Sequence, residues 1–162
     1  MAMLLAVASC DGKTENKAKM EPAAAPTVHM VSDEDADMNS AMKTARETLD
    51  KFNAALKSKN PKLDNFAIKV RFDAPSGGEH IWVGEVSLKK GKYSGVVGNV
   101  PERTTDVKLG DTIEIVNDNI SDWMYLEGGK LHGGYTIRVL RKRMSDAERK
   151  QFDQDSGLII ED

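Results

Sequence analysis

The sequence predicts an α+β fold: a curled antiparallel sheet of about six strands, a roll or small barrel, packed by one amphipathic helix and followed by a short C-terminal helix. Three observations point there. One stretch carries a helical apolar period, the next carries strand-like alternation, and turn residues interrupt the alternating part at short intervals. The 162 residues, 40% hydrophobic and 30% charged, suffice for one modest core with a tail rather than two domains.

Met38, Met42, Ala45, Leu49, Phe52 and Leu56 recur at helical spacing and form one stripe of a single helix that packs on the sheet. Asp33, Glu34, Asp35 and Asp37 suit its start, Lys51, Lys57 and Lys59 its end, and Asn60-Pro61 stops it. Phe66, Ile68, Val70 and Phe72 then share one face of a first strand. Residues 80–88 form the second, where Gly84 marks a bulge or bend, and residues 93–100 form the third, ended by Pro101. Ile113-Glu114-Ile115 makes the fourth strand and residues 120–126 the fifth. Gly128-Gly129 permits a hairpin turn into a sixth strand whose apolar face is Tyr135, Ile137 and Val139. Ser145 and Glu148 have the spacing of a capping box for the terminal helix, and the acidic tail past Gln151 is expected to fray.

Cys10 is the only cysteine, so it makes no internal disulfide. It ends the apolar run from Leu4, and Val7-Ala8-Ser9-Cys10 resembles a bacterial lipobox, in which the signal is cut before a cysteine that then carries lipid. Asp11 resembles the signal that retains such lipoproteins in the inner membrane. The expected organisation is a signal segment at 1–10, a flexible Lys, Glu, Ala and Pro-rich tether at 11–35, a domain at 36–152 and an acidic tail at 153–162. The expected location is the periplasmic side of the membrane, held by lipid on Cys10. The net charge of -3 argues against a nucleic-acid partner. No run approaches the roughly 18 apolar residues of a membrane span.

Candidate chemistry is sparse. His80, His132 and Asp122 could combine as an imidazole with an orienting carboxylate, with Ser121 as a nucleophile. No nucleophile elbow surrounds Ser121, and no paired histidines, paired cysteines or phosphate loop is present, so no metal or cofactor is expected. The structural alternative has Asp122 accepting backbone N–H groups or pairing with Arg138. Alternation along residues 120–126 puts Ser121, Trp123 and Tyr125 on one face, and Ile120, Asp122, Met124 and Leu126 on a more core-like one. Trp123 and Tyr125 are thus either an exposed recognition face or packing against the helix. The candidate binding residues are Trp82, Trp123, Tyr125, Asp122, Tyr135 and Arg138.

Several motifs stand in a recognisable order: His80-Ile81-Trp82-Val83, Gly95, Asn99 with Pro101, Gly110-Asp111, Ile120-Ser121-Asp122-Trp123-Met124, Gly133-Gly134-Tyr135-Thr136-Ile137-Arg138, and Met144-Ser145 with Glu148-Arg149. Over residues 66–152 the chain resembles the YegJ-like family, domain of unknown function 2314. That resemblance implies a bacterial protein of an uncharacterised family that includes lipoproteins, and it supplies no catalytic residues. The expected function is a membrane-tethered module that binds an envelope protein or peptide. The alternative is a hydrolase or metal-dependent enzyme using His80 or His132 with Asp122.

Overall fold

The computed structural model describes residues 35–75 and 77–161, and in it the apolar helical stripe is divided between two helices. Helix α1 (Ala36–Glu47) starts at Asp35, whose carboxylate accepts from the Met38 N–H at 3.1 Å. Helix α2 (Leu49–Ser58) begins after Thr48, which interrupts the single helix expected. The Thr48 hydroxyl donates to Thr44 O at 2.7 Å, a back-bond that competes with the helical ladder. The stripe itself faces inward: Met38, Ala41 and Ala45 are buried on α1 and Phe52 on α2.

Strands β1 (Leu63–Ala74), β2 (Gly77–Lys89), β3 (Lys92–Val97), β4 (Thr112–Ile115), β5 (Ile120–Glu127) and β6 (Lys130–Gly133) form one antiparallel sheet in the order β4-β3-β2-β1-β5-β6. It curls without closing, so the roll is right in kind and the closed barrel is not. Bulges bend the two long central strands. The pairing of β1 with β5 shifts between Asp64 and Ala67, and that of β2 with β3 between Gly84 and Ser87. Asn65 and Glu85 hold the left-handed backbone at these places, with φ of 50° and 48°.

The sixth strand is Lys130–Gly133, and the residues expected to form it are helix α3 (Tyr135–Arg143). The cause lies in two adjacent glycines. Gly133 and Gly134 have φ of 71° and 61°, which turns the chain off the sheet edge before an extended run can start. A Cβ at Gly133 would lie 2.3 Å from Trp123 O and 2.5 Å from its ring. We expect Gly133→Ala to lower stability by about 2–4 kcal/mol through strain and overpacking. Urea denaturation measures this, and an unchanged midpoint would mean that the turn relaxes around the methyl.

Helix α4 (Asp146–Ser156) has the expected capping box: Ser145 N donates to Glu148 Oε2 at 2.8 Å, and Glu148 N returns a bond to Ser145 Oγ at 3.4 Å. The acidic tail does not fray as anticipated. Arg141 grips Asp153 through two 2.9 Å bonds, Leu131 N donates to Ile159 O at 2.9 Å, and Ile159 N donates to Gly129 O at 2.9 Å. The tail therefore lies along the outer edge of β6.

One sheet face carries the core. Ile68, Val70, Val83, Tyr93, Ile115 and Trp123 pack there against Ala45 and Phe52 of the helices. Ile81, Val97 and Val107 form a second cluster on the same face, under the loop that follows β3. Buried Glu79 pins that loop by accepting from the N–H groups of Glu102, Arg103 and Thr104 at 2.7, 2.9 and 2.7 Å. Burial favours its protonated form, but those three amides and the Arg103 charge outweigh it and hold the carboxyl below its ordinary range.

An ionic clamp joins the start of α1 to the end of α3, where Arg143 donates to both Asp35 and Asp37. Arg143, then the Met38 amide, draw the Asp35 carboxyl from 3.8 down to about 2. A depressed carboxyl stabilises the fold above its unfolded value, and that contribution disappears as the pH falls through the folded one. The difference in thermal midpoint between the wild type and Asp35→Ala should therefore shrink as the pH is lowered from about 5 to about 2. A constant difference would show that the clamp does not act through charge.

Candidate functional site

Three segments distant in sequence meet beside β5. Because β6 ends at Gly133, opposite Met124, the neighbour of Asp122 is the first turn of α3 rather than another strand. Asp122 is fully buried. Its Oδ1 accepts from Trp123 N at 2.8 Å and Tyr135 N at 3.2 Å, and its Oδ2 from Thr136 N at 2.8 Å and the Thr136 hydroxyl at 2.7 Å. The carboxylate thus caps a helix that starts 13 residues later in the chain. Burial pushes this carboxyl above its ordinary range, against the pull of the Thr136 hydroxyl and amide, the Lys69 charge and the Trp123 amide.

Lys69, directly across from Asp122 on β1, completes the cluster. Its ammonium donates to Thr136 Oγ1 at 3.3 Å and lies 5.4 Å from the centroid of the Trp82 ring. Burial draws the Lys69 amine below its ordinary range and the Asp122 charge opposes this. Trp82, half-buried, is directly across from Lys69 on the other side, so its ring closes over the ammonium.

His80 shares this face, with Nδ1 2.8 Å from Ser121 Oγ. The Ser121 hydroxyl donates to Lys69 O at 3.2 Å. With its one proton given to that carbonyl, the serine accepts from the imidazole Nδ1–H, so this contact does not activate Ser121 as a nucleophile. His132 lies on the opposite face. Its ring stacks on Tyr125 with centroids 4.7 Å apart, and Nε2 is 3.1 Å from Glu127 Oε2. Strands β1 and β5 separate the two histidines, so the structure does not assemble His80, His132 and Asp122 into one acid–base set. Among the described residues, no three His, Cys, Asp or Glu gather as a metal site would require.

The recognition face expected from Trp123 and Tyr125 needs correction. Trp123 is 2% exposed, and its indole N–H donates to Ala45 O at 2.9 Å. It packs between Phe52, 5.8 Å away, and Tyr135, 5.8 Å away, which is the helix-packing alternative. Tyr125 is half-buried between Phe66 and His132. Ile120 and Trp123 point into the same core although three residues apart, because the pairing with β1 shifts between Lys69 and Val70. Tyr135 is half-buried with its hydroxyl 3.0 Å from Thr48 Oγ1. Arg138 does not pair with Asp122. It donates to the carbonyls of Gly133 at 3.0 Å and Leu131 at 2.9 Å, and to Glu161 O, tying β6 to the tail. Cys10 and the tether to residue 34 lie outside the described residues.

Lys69, Glu79 and Thr136 escaped the sequence reading. Lys69 and Glu79 sit in strand patterns where an alternating charge reads as solvent-facing, and nothing local marks their partners. Thr136 follows the Gly-Gly pair, whose break in an extended run was the one available signal.

The chain belongs to a bacterial family: its residues 35–160 match the family model described as an uncharacterised protein conserved in bacteria, DUF2314. That match takes in residues 153–160, which fold with the domain. Among its relatives, the chain is 39% identical over 103 residues to the uncharacterised protein YegJ of Escherichia coli K12, covering 64% of this chain and 66% of that one. It is 31% identical over 143 residues to a putative ankyrin repeat protein of Neisseria meningitidis serogroup B, covering 83% of this chain and 56% of that one. The chain thus spans less than two thirds of each of these relatives. No solved structure matches it.

Proposed function

We propose that this protein is a recognition module of the bacterial envelope, held at the periplasmic side of the inner membrane by lipid on Cys10, and that it works by binding rather than by catalysis. The observation that carries this is the sheet face around Trp82. The half-buried indole stands across from Lys69, whose ammonium lies 5.4 Å from the ring centroid, and on the same strand as Gly84, where a Cβ would meet nothing within 4 Å. An aromatic wall, a cation and an open backbone floor suit a peptide or a ring-bearing envelope component. Of the acid–base candidates, by contrast, Asp122 is committed to capping α3, and His80 and His132 are kept apart by β1 and β5.

The test has two parts in intact cells. Labelling with an alkyne fatty acid should mark the wild type and not Cys10→Ser, and loss of the label in neither would remove the anchor. Photo-crosslinking from a residue beside Trp82 should yield one defined adduct that Trp82→Ala abolishes while the thermal midpoint holds. An adduct unchanged by Trp82→Ala would remove the binding face.

A further inference from the structure

The two edges of the sheet are treated differently. The C-terminal tail lies along β6, whereas β4 is the last strand on the other side and pairs with β3 alone among the described residues. Unpaired edges attract further strands, and proteins that remain single cover or blunt them. Instead, apolar side chains surround this one. Of the four large hydrophobic residues that are most exposed among the described residues, three flank β4 or the end of β3: Val100 at 66%, Leu109 at 55% and Val116 at 58%. A concavity of about 280 Å³ opens at the end of the strand, lined by Ile115, Val116, Glu114 and Asp118, with Lys92 on its rim.

We propose that β4 is a docking edge for an extended segment of another protein in which apolar and basic residues alternate. The inference rests on the recognition reading above and names the kind of partner. Alternation follows from the register: Ile113 and Ile115 share the core face, whereas Thr112 and Glu114 share the other. An added strand would set apolar side chains beside the two isoleucines and basic ones beside Glu114. Charge selects a foreign segment over a second copy. Residues 111–118, Asp-Thr-Ile-Glu-Ile-Val-Asn-Asp, hold three acids and no base, so antiparallel self-pairing would bring acid against acid. Lys92 meets Glu114 at 2.9 Å, but both side chains are well exposed, and such a pair is weak enough to yield to a competing cation.

The experiment uses the full chain with Cys10→Ser and two dye-labelled eight-residue peptides, one alternating valine with lysine and the other valine with glutamate. Fluorescence anisotropy should show the lysine peptide binding at least about tenfold tighter than the glutamate peptide, and Glu114→Lys and Val116→Lys should each weaken it by about tenfold. Hydrogen exchange on the bound wild type should slow at residues 112–116. Equal binding of the two peptides, indifference to both substitutions at unchanged thermal midpoints, or protection elsewhere would each overturn the proposal. So would a peptide-free dimer, seen by sedimentation, that Val116→Lys dissociates, because it would assign the edge to a second copy. Any of these failures leaves the Trp82 crosslinking result standing.

Discussion

Replacing Asp122 with alanine should cost about 3–5 kcal/mol, because it strands buried donors and a buried charge at once. Trp123 N, Tyr135 N, Thr136 N and the Thr136 hydroxyl would all lose their acceptor, and the Lys69 ammonium its counter-charge. Asp122→Asn should be little milder, since its amide NH2 must face donors from one side or the other. Guanidinium unfolding gives the magnitude. Adding Lys69→Met to Asp122→Ala should recover part of the loss, because an apolar side chain leaves no charge uncompensated. A double variant that is additive would show that the two groups do not interact.

The second large effect is expected at Trp123. Trp123→Ala should cost about 3–5 kcal/mol by opening a cavity among Phe52, Tyr125 and Tyr135. Trp123→Phe keeps a ring there and loses mainly the bond to Ala45 O, for about 1 kcal/mol plus the smaller fill. Thermal unfolding followed in the near ultraviolet distinguishes the two variants. A Trp123→Ala protein as stable as wild type would mean that the helices rest on the sheet by some other contact.

Most of the elements can be read along the chain because they depend on local order: the alternation of β1, the turns before β4 and β5, and the Ser145–Glu148 box. The misreadings share a physical cause, which is a partner far away in sequence. Tyr135, Ile137 and Val139 fit an alternating pattern, but the capping carboxylate that makes them helical comes from β5. The choice for Trp123 between a recognition face and packing against the helix is not legible locally, because the bulge that sets it in the core beside Ile120 involves β1, over fifty residues earlier. The break at Thr48 rests on a hydroxyl that helical spacing does not register. Of the candidate site, Trp82 and His80 stand where a functional face could use them, whereas Asp122, Trp123 and Arg138 are structural.

The strand order also bears on how the chain finds its fold. The strands from β1 to β4 form a meander of neighbours, each paired with the next in sequence, with tight turns joining the first three and residues 98–111 joining β3 to β4. The β5–β6 hairpin must then return to the far side of β1, and until it does, Ile68 and Phe52 lack the indole they pack against. Closing that long loop is the slow, committing event, and chain collapse before it leaves the inner flank of β1 as an unpaired edge. A nascent chain cut short of β5 would therefore be a sticky meander rather than a smaller stable protein.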